Sequence, residues 1–508
     1  MEKIKLLNQK LNQVNFDKIY FNFLSFSILF IILFIISLNL NYPFLWYDEA
    51  ITFWIAKGIN PDSLPYTEAG NFTKCIYYNK FFNLDPGGFS ILLYFWTKIS
   101  DNHFFLRILP FLLYIIFFYY LIKIIFIKIK DFSLSIFTSI LITILFNYYT
   151  AAYELRGYSM ELLTIVFSIY ILVENQKNIN LKKIFFKSLI ICILMTSRYS
   201  SIIIVIISLV LMYLKNIKNI KDNKQQIYLT VVIYTPFILI SILVYYFSYQ
   251  TQKTFSDKLP YLNYLKDNPK LLFEFNNLIF ISILFYFLII LLKFKTEYKY
   301  LILFTLLTNI IFIILSFLGK YPWDPMSSRC NVISFPIILT FLLTIKKTII
   351  ELIKKNNFKS AILCFTAFIT INYSKQLYKR YDKPVELYSD ILSINFSKKP
   401  QILVDRWSNL SLRYLYEYGN LKKYSTRHNY PQNFTLLSSK NKFLNTIKKT
   451  DIWYKNKIEN LNIKKYDILI TPEMSKYYFF NKLNWKSIKN NNILFFKKND
   501  STLFNISF

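Results

Sequence analysis

Apolar residues run in long blocks through most of this chain, with short charged stretches between them. Blocks such as 24–38, 111–122 and 202–214 are apolar on nearly every side and show no clear 3.6-residue period. A helix without a polar face has no side to present to water, so it lies in lipid or deep in a bundle. Such blocks fall at 23–41, 104–122, 132–149, 159–173, 184–197, 199–214, 227–247, 276–292, 300–318, 331–345 and 358–373. With about 20 residues per crossing, some shorter, they predict about eleven transmembrane helices. The first block follows a basic start, as a signal peptide would. It is long enough to span, however, and no small-x-small cleavage site follows, so it is expected to be a retained helix. Phe89–Ile99 is apolar but short, and Asp85-Pro86-Gly87-Gly88 and Ser100-Asp101 bound it. It is expected to be a re-entrant or juxtamembrane helix within the first outer loop.

The connecting loops alternate in charge. Loops 1–21, 123–130, 174–187, 215–224, 293–299 and 346–355 together hold 22 Lys or Arg in 70 residues. Loops 42–103, 149–158, 197–200, 248–275 and 319–331 hold 12 in 117. Basic loops stay on the cytoplasmic side, so the first set, with the N-terminus, is expected inside a cell (inner or plasma) membrane and the second set outside. The tail after 374 then lies outside. In it, 401–404, 467–471 and 493–496 look like strands, and 410–418 and a segment near 453–460 look helical. Strands alternating with helices suggest a small α/β domain. The expected organisation is therefore a polytopic α-helical membrane domain over 1–373 and an extracytoplasmic α/β domain over 374–508. No internal repeat is evident.

Composition adds little to this picture. The net charge of +32 comes almost entirely from Lys, and Lys, Asn, Ile, Phe and Tyr are all abundant while Gly numbers 7. An AT-rich coding sequence accounts for that profile. A nucleic-acid partner is not expected, because its basic footprint would lie on one face of a soluble fold, and here Lys punctuates apolar blocks. Cys75, Cys192, Cys330 and Cys364 show no CxxC spacing, so zinc is not expected. Cys75 and Cys330 fall in loops on the same expected side, where a disulfide could join them.

With this orientation, the polar residues beside apolar blocks collect on the outer face. They are Asp48 and Glu49 after the first helix, Asp85 before the re-entrant segment, and His103 and Arg107 at the start of the second helix. Tyr153, Glu154, Arg156 and Tyr158 follow, then Arg198 and Tyr199, and Asp324, Ser327, Ser328 and Arg329. Charges near hydrocarbon are costly and point to function by default. Each also has a plainer reading. Asp48 can cap the helix expected over 49–58, Glu49 can favour the helix dipole, and Arg107 and Arg198 can snorkel. Tyr and Trp at these borders fit an aromatic belt. The grouping of acids and arginines on one face is the stronger signal.

Such a set suits sugar transfer from a lipid phosphate. Attack by a hydroxyl at the anomeric carbon needs a carboxylate to take the proton and cations to neutralise the departing phosphate. One carboxylate suffices for direct displacement with inversion, since phosphate leaves without protonation; glycoside hydrolysis, by contrast, uses a pair. Arg suits phosphate because its planar fork reaches two oxygens.

The segment Trp46-Tyr47-Asp48-Glu49-Ala50 resembles the Asp-Glu signature of the GT-C superfamily of membrane glycosyltransferases. More closely, the chain resembles the glycosyltransferase family 39-like branch of protein O-mannosyltransferases and aminoarabinose transferases. Leu84-Asp85-Pro86-Gly87-Gly88-Phe89 is similar to that branch's Pro-Pro-Leu segment, with Gly87 in place of the second Pro. Phe105-Leu106-Arg107-Ile108-Leu109-Pro110 is similar to its Arg-Leu-Pro-Ser helix opening. Tyr153-Glu154-Leu155-Arg156-Gly157-Tyr158 is similar to its Arg-Glu-x-Arg-x-Tyr stretch, with Tyr153 where an Arg is common. The resemblance covers about residues 20–215. It implies Asp48 as catalytic base and Glu49 as support for the acceptor or the site geometry. Arg156, Arg107 and Arg198, with Tyr158, Asp85 and Arg329, would bind the donor or build its site. The implied partners are a polyprenyl-phosphate sugar, a lipid, glycan or protein acceptor, and the bilayer. No cofactor is implied. The outer carboxylates Asp48, Glu49 and Asp324 leave a divalent metal open, but no ligand spacing demands one.

Two other readings stay open at this stage. A lipid-linked glycan polymerase or ligase would place key Arg and His residues in large late outer loops, and loop 248–275 holds neither. A transporter or flippase of envelope glycolipids would show broken, repeated helices with midplane charges, whereas the charges here sit at helix ends.

Overall fold

In the computed structural model, residues 22–42, 45–61, 63, 67–83, 85–174, 180–218, 220, 222–246, 264–293, 298–325, 331–345, 366, 368, 402–418, 434–437, 468–472, 485–490 and 493–498 are described. The block expected at 358–373 lies almost wholly outside them, as do Arg329, Cys330 and the segment near 453–460. The remaining apolar blocks are helices: α1 (Asn22–Asn41), α5 (His103–Ile129), α6 (Phe132–Leu145), α7 (Tyr158–Val173), α8 (Leu181–Leu194), α9 (Tyr199–Ile217), α10 (Asn223–Val244), α11 (Phe275–Lys293), α12 (Lys299–Phe317) and α13 (Asn331–Thr344). Between α1 and α5 lie α2 (Tyr47–Ala56), α3 (Phe72–Phe82) and α4 (Gly88–Thr97). Among the described residues, six helices are long and apolar enough to cross a membrane: α1, α5, α9, α10, α11 and α12. The fold is that of a polytopic α-helical membrane protein.

The bundle is organised around α7, every residue of which is buried. It packs against α5, α9, α8 and α13. Small hydroxyl residues line it: Thr164 donates to both Met160 O and Leu194 O, and Ser168 donates to Thr164 O. Small side chains that satisfy themselves on their own backbone let neighbouring helices approach closely in lipid, where packing rather than water drives association.

Helix α4, the short apolar segment, has 10 residues. At 1.5 Å per residue it extends about 15 Å, half the thickness of a hydrocarbon core, so it does not cross. It packs with α2 and α3 into a cap beside the ends of α5 and α7–α9. Cys75 of α3 is a free, buried thiol that donates to Ser90 O, and burial pushes it up to about 12. Cys330, the other half of the disulfide considered, lies outside the described residues.

The tail carries a five-stranded sheet of order β2-β1-β3-β5-β4, built from β1 (Ile402–Asp405), β2 (Phe434–Leu437), β3 (Ile468–Pro472), β4 (Trp485–Asn490) and β5 (Ile493–Lys498). β1 runs parallel to β2 and β3, and β5 runs antiparallel to β3 and β4. Helix α14 (Arg406–Glu417) leaves β1 and seats on α2. Trp54 Nε1 donates to Leu410 O at 3.1 Å, and Tyr414 Oη donates to Asp101 O at 3.0 Å. The fully buried Arg413 lies 4.0 Å from the Trp54 ring and donates to both the carbonyl and the hydroxyl of Ser63.

Candidate active site

Three connections converge where the cap meets the bundle: the turn before α4, the turn before α7, and the 3-10 turn Met195–Ser197 before α9. Glycine makes the convergence possible. A Cβ on Gly88 would stand 1.9 Å from Thr196 Oγ1 and 2.9 Å from Thr196 O, and one on Gly157 would stand 2.9 Å from Ser197 O. Gly87, at φ +102°, takes a left-handed conformation that side-chain-bearing residues rarely adopt. Asn79 holds this turn by donating to Asp85 O at 3.1 Å and accepting from Ser90 Oγ at 2.8 Å.

On this framework the acids and arginines form two tiers. The inner tier is Glu49 and Arg107, paired at 2.8 Å with side-chain exposures of 4% and 3%. Glu49 also accepts from the backbone N–H of Leu155 at 2.8 Å and of Trp46 at 3.3 Å. Arg107 donates further to Tyr153 O at 3.0 Å and Tyr42 O at 2.9 Å. Three segments distant in sequence, 42–49, the start of α5 and 153–155, are thereby tied together through one buried pair. Burial pushes the Glu49 carboxyl above its ordinary range, against the pull of Arg107 and of the two N–H groups.

The outer tier is more open. Asp48 and Arg156 pair at 2.6 Å with exposures of 20% and 16%. Arg198 reaches Asp85 at 3.5 Å and Glu161 at 3.3 Å. Tyr158 contacts both arginines, its ring centre 5.2 Å from the Arg156 guanidinium and 4.7 Å from that of Arg198. Burial disfavours charge on Arg156, but Asp48, then Tyr158 and Asp85, outweigh it and raise its pKa. Arg198 is held well above its usual value in the same way, with burial opposed by Glu161, Tyr158 and Asp85. Both therefore stay cationic at any working pH.

The structure thus brings together Asp48, Glu49, Asp85, Arg107, Arg156, Tyr158 and Arg198. It separates their surroundings: Glu49 and Arg107 are taken up by each other and by backbone, whereas Asp48, Arg156 and Arg198 reach solvent. Arg329 is outside the described residues. Glu161, fully buried on α7, is not among the residues that the sequence singles out. It accepts from Arg198 and from the Ser200 hydroxyl, and an acid one turn inside an apolar block is itself the signal that would have found it. Among the described residues no three His, Cys, Asp or Glu side chains gather in a way that would hold a metal ion.

No family model and no curated protein matches the chain. A search of solved structures returns a crystal structure of ArnT from Cupriavidus metallidurans bound to undecaprenyl phosphate. The match is at 8% identity and a TM-score of 0.44, over 94% of this chain and 98% of that one. A likeness of that size does not assign a family.

Proposed function

We propose that the chain is an inverting glycosyltransferase that moves a monosaccharide from a polyprenyl-phosphate sugar to a hydroxyl of a lipid, glycan or protein acceptor at the outer surface of the membrane. The carrying observation is the solvent-reaching Asp48–Arg156 pair, with Arg198 against the same Tyr158 ring that Arg156 contacts. A carboxylate beside two guanidiniums is the minimum that the displacement requires.

Without substrate, Asp48 and Arg156 neutralise each other. A sugar phosphodiester brings one negative charge and competes with Asp48 for the Arg156 fork. As Arg156 turns to the phosphate, the Asp48 carboxylate is released to accept the acceptor's hydroxyl proton. The acceptor oxygen bonds to the anomeric carbon from the face opposite the phosphate. The carbon–oxygen bond to phosphate breaks, and its electron pair leaves on the polyprenyl phosphate. The added negative charge falls beside Arg156 and Arg198, whose partly buried guanidiniums offset it. The two guanidiniums supply the countercharge, and no metal is assigned a part. Glu49 and Arg107 hold Asp48 and the turn bearing Arg156 in register through Trp46, Tyr153 and Leu155. In this reading the N-terminus is cytoplasmic and the tail domain lies outside.

Mass spectrometry of envelope glycans and glycoproteins from cells with and without the gene identifies sugar and acceptor together. The wild-type gene is expected to restore one missing glycoform, and an Asp48→Asn gene expressed at equal level is not. Restoration by the Asn variant would remove Asp48 as the base.

A further inference from the structure

The helices that deliver the site residues at one end carry lysines at the other. α5 starts at His103 and Arg107 and reaches Lys123 and Lys128. α9 starts beside Arg198 and reaches Lys215. α8 ends beside the 195–197 turn and begins with Lys183 and Lys187. α7 joins the two ends: Tyr158 opens it at the site, and Glu174 follows its last residue about 24 Å away at 1.5 Å per residue.

At that far end the lysines converge rather than scatter. Glu174 takes Lys183 at 2.9 Å and also Lys187, whose side chain is only 8% exposed. Tyr170 donates its hydroxyl to Glu174 at 3.0 Å, and its ring lies 4.7 Å from Lys123 Nζ and 5.7 Å from Lys187 Nζ. Lys215 Nζ closes the group by donating to Leu172 O and Glu174 O at 2.8 and 2.7 Å. Lys128 and Lys187 lie close enough to Lys215 to repel it, and Lys123 and Lys183 close enough to repel Lys187. Among the described residues, Glu174 is the carboxylate that pairs with this group.

Lysines that only fix orientation have no reason to meet. They would spread through the loops and stay in water, since each gains from separation. Four cations gathered around one carboxylate, which pairs with two of them, leave an excess positive charge at the end of a buried helix, and an incoming anion would relieve it. We propose that this cluster, made by Lys123, Lys183, Lys187 and Lys215 around Glu174 and Tyr170, is a binding site for a phosphate-bearing anion on the membrane face opposite the reaction. Large apolar side chains stand exposed beside it: Tyr119, one turn from Lys123, at 56%, Phe186 at 60% and Leu214 at 43%. They suit the acyl chains of an acidic phospholipid whose headgroup enters the cluster, a use of basic pockets between membrane helices that the electrostatics favour.

Native mass spectrometry of the full-length protein tests this, with phosphatidylglycerol, phosphatidylcholine and inorganic phosphate as probes. Phosphatidylglycerol is expected to be retained over phosphatidylcholine. The preference should fall about fivefold for each lysine removed in Lys123→Gln and in Lys123→Gln/Lys183→Gln, which touch exposed or half-exposed positions. Asp48→Asn should leave it intact, because that residue sits at the other end of the bundle. Retention of inorganic phosphate with the same dependence on the lysines would assign the site to a soluble phosphate. Equal retention of the two lipids without phosphate binding, or a preference that survives loss of both lysines, would overturn the proposal.

Discussion

Asp48 and Glu49 are neighbours in sequence on the first turn of α2, and each is ion-paired to an arginine at under 3 Å. Glu49 and Arg107 are nearly sealed from water, and their contacts join α2, α5 and the turn before α7. Asp48 and Arg156 keep about a fifth of their side-chain surface open, and Asp48 meets a partner that a ligand can take away. One helical step separates them: at 100° per residue, consecutive side chains point in different directions, so a single Asp-Glu dipeptide serves the inside of the protein with one acid and its surface with the other. An ion pair's use follows from what could replace it. A buried pair with all its hydrogen bonds inside protein has no competitor, whereas an open pair can exchange its carboxylate for a phosphate.

The largest expected effect comes from the open pair. Asp48→Asn keeps the size of the side chain and removes its basicity. Transfer is expected to fall about 10²–10⁴-fold, the usual worth of a general base, with expression and melting temperature unchanged. The check is turnover of a polyprenyl-phosphate sugar in proteoliposomes alongside a thermal melt. A variant that loses stability instead of activity would place Asp48 with the inner tier and erase the distinction.

The sealed pair should respond in the opposite way. Arg107→Met strands Glu49 without its cation, and Glu49→Gln strands Arg107. Breaking one partner of a buried pair costs about 3–5 kcal/mol, so both variants are expected to show low folded yield in fluorescence-detected size exclusion. The double change should recover part of the loss, because no uncompensated charge remains. If Glu49→Gln folds normally and fails only in turnover, Glu49 touches substrate and the two tiers merge.

Between the two pairs stands the close approach of the turns. Gly157→Ala puts a methyl group 2.9 Å from Ser197 O, a backbone atom that cannot swing aside. The turns bearing Arg156 and Arg198 must part, at a cost of about 1–3 kcal/mol. Turnover is expected to drop more than stability, since the arginines move and the core of α7 does not. A melt that shifts while turnover per folded molecule stays constant would show that the spacing of the two arginines is not critical.

The division into helices was legible because lipid demands it: an apolar block has few other structures open to it. The gathering of Asp48, Asp85, Arg156 and Arg198 was legible for a related reason, since charges beside hydrocarbon are few. Which acid faced inward was not, because a one-residue difference in direction depends on what packs around α2. The scarcity of glycine could be read as composition, yet Gly87, Gly88 and Gly157, three of the 7 in the chain, stand where the site's turns meet. The seat of α14 on α2 was also out of reach. A pattern of apolar positions in 406–417 says that a face is buried, but Trp54, Ser63 and Asp101, which receive it, lie some 300 residues earlier.

The smallest expected effect isolates Tyr158, which belongs to both tiers by position and to the open one by contact. It is 6% exposed, and its ring contacts two guanidiniums that repel each other. A ring face offers each cation about 0.5–2 kcal/mol without using a hydrogen-bond donor, so it takes from Arg156 and Arg198 no donor that the proposed phosphate would need. Tyr158→Phe keeps the ring and should behave close to wild type. Tyr158→Leu fills similar space without the ring, so the arginines are expected to splay. The KM for the lipid donor should rise about 2- to 30-fold, the same free energy expressed as affinity, while kcat changes less because Asp48 is untouched. Equal losses in Phe and Leu would move the role from the ring to the hydroxyl, and a loss confined to kcat would place Tyr158 in the chemistry rather than in holding the two cations.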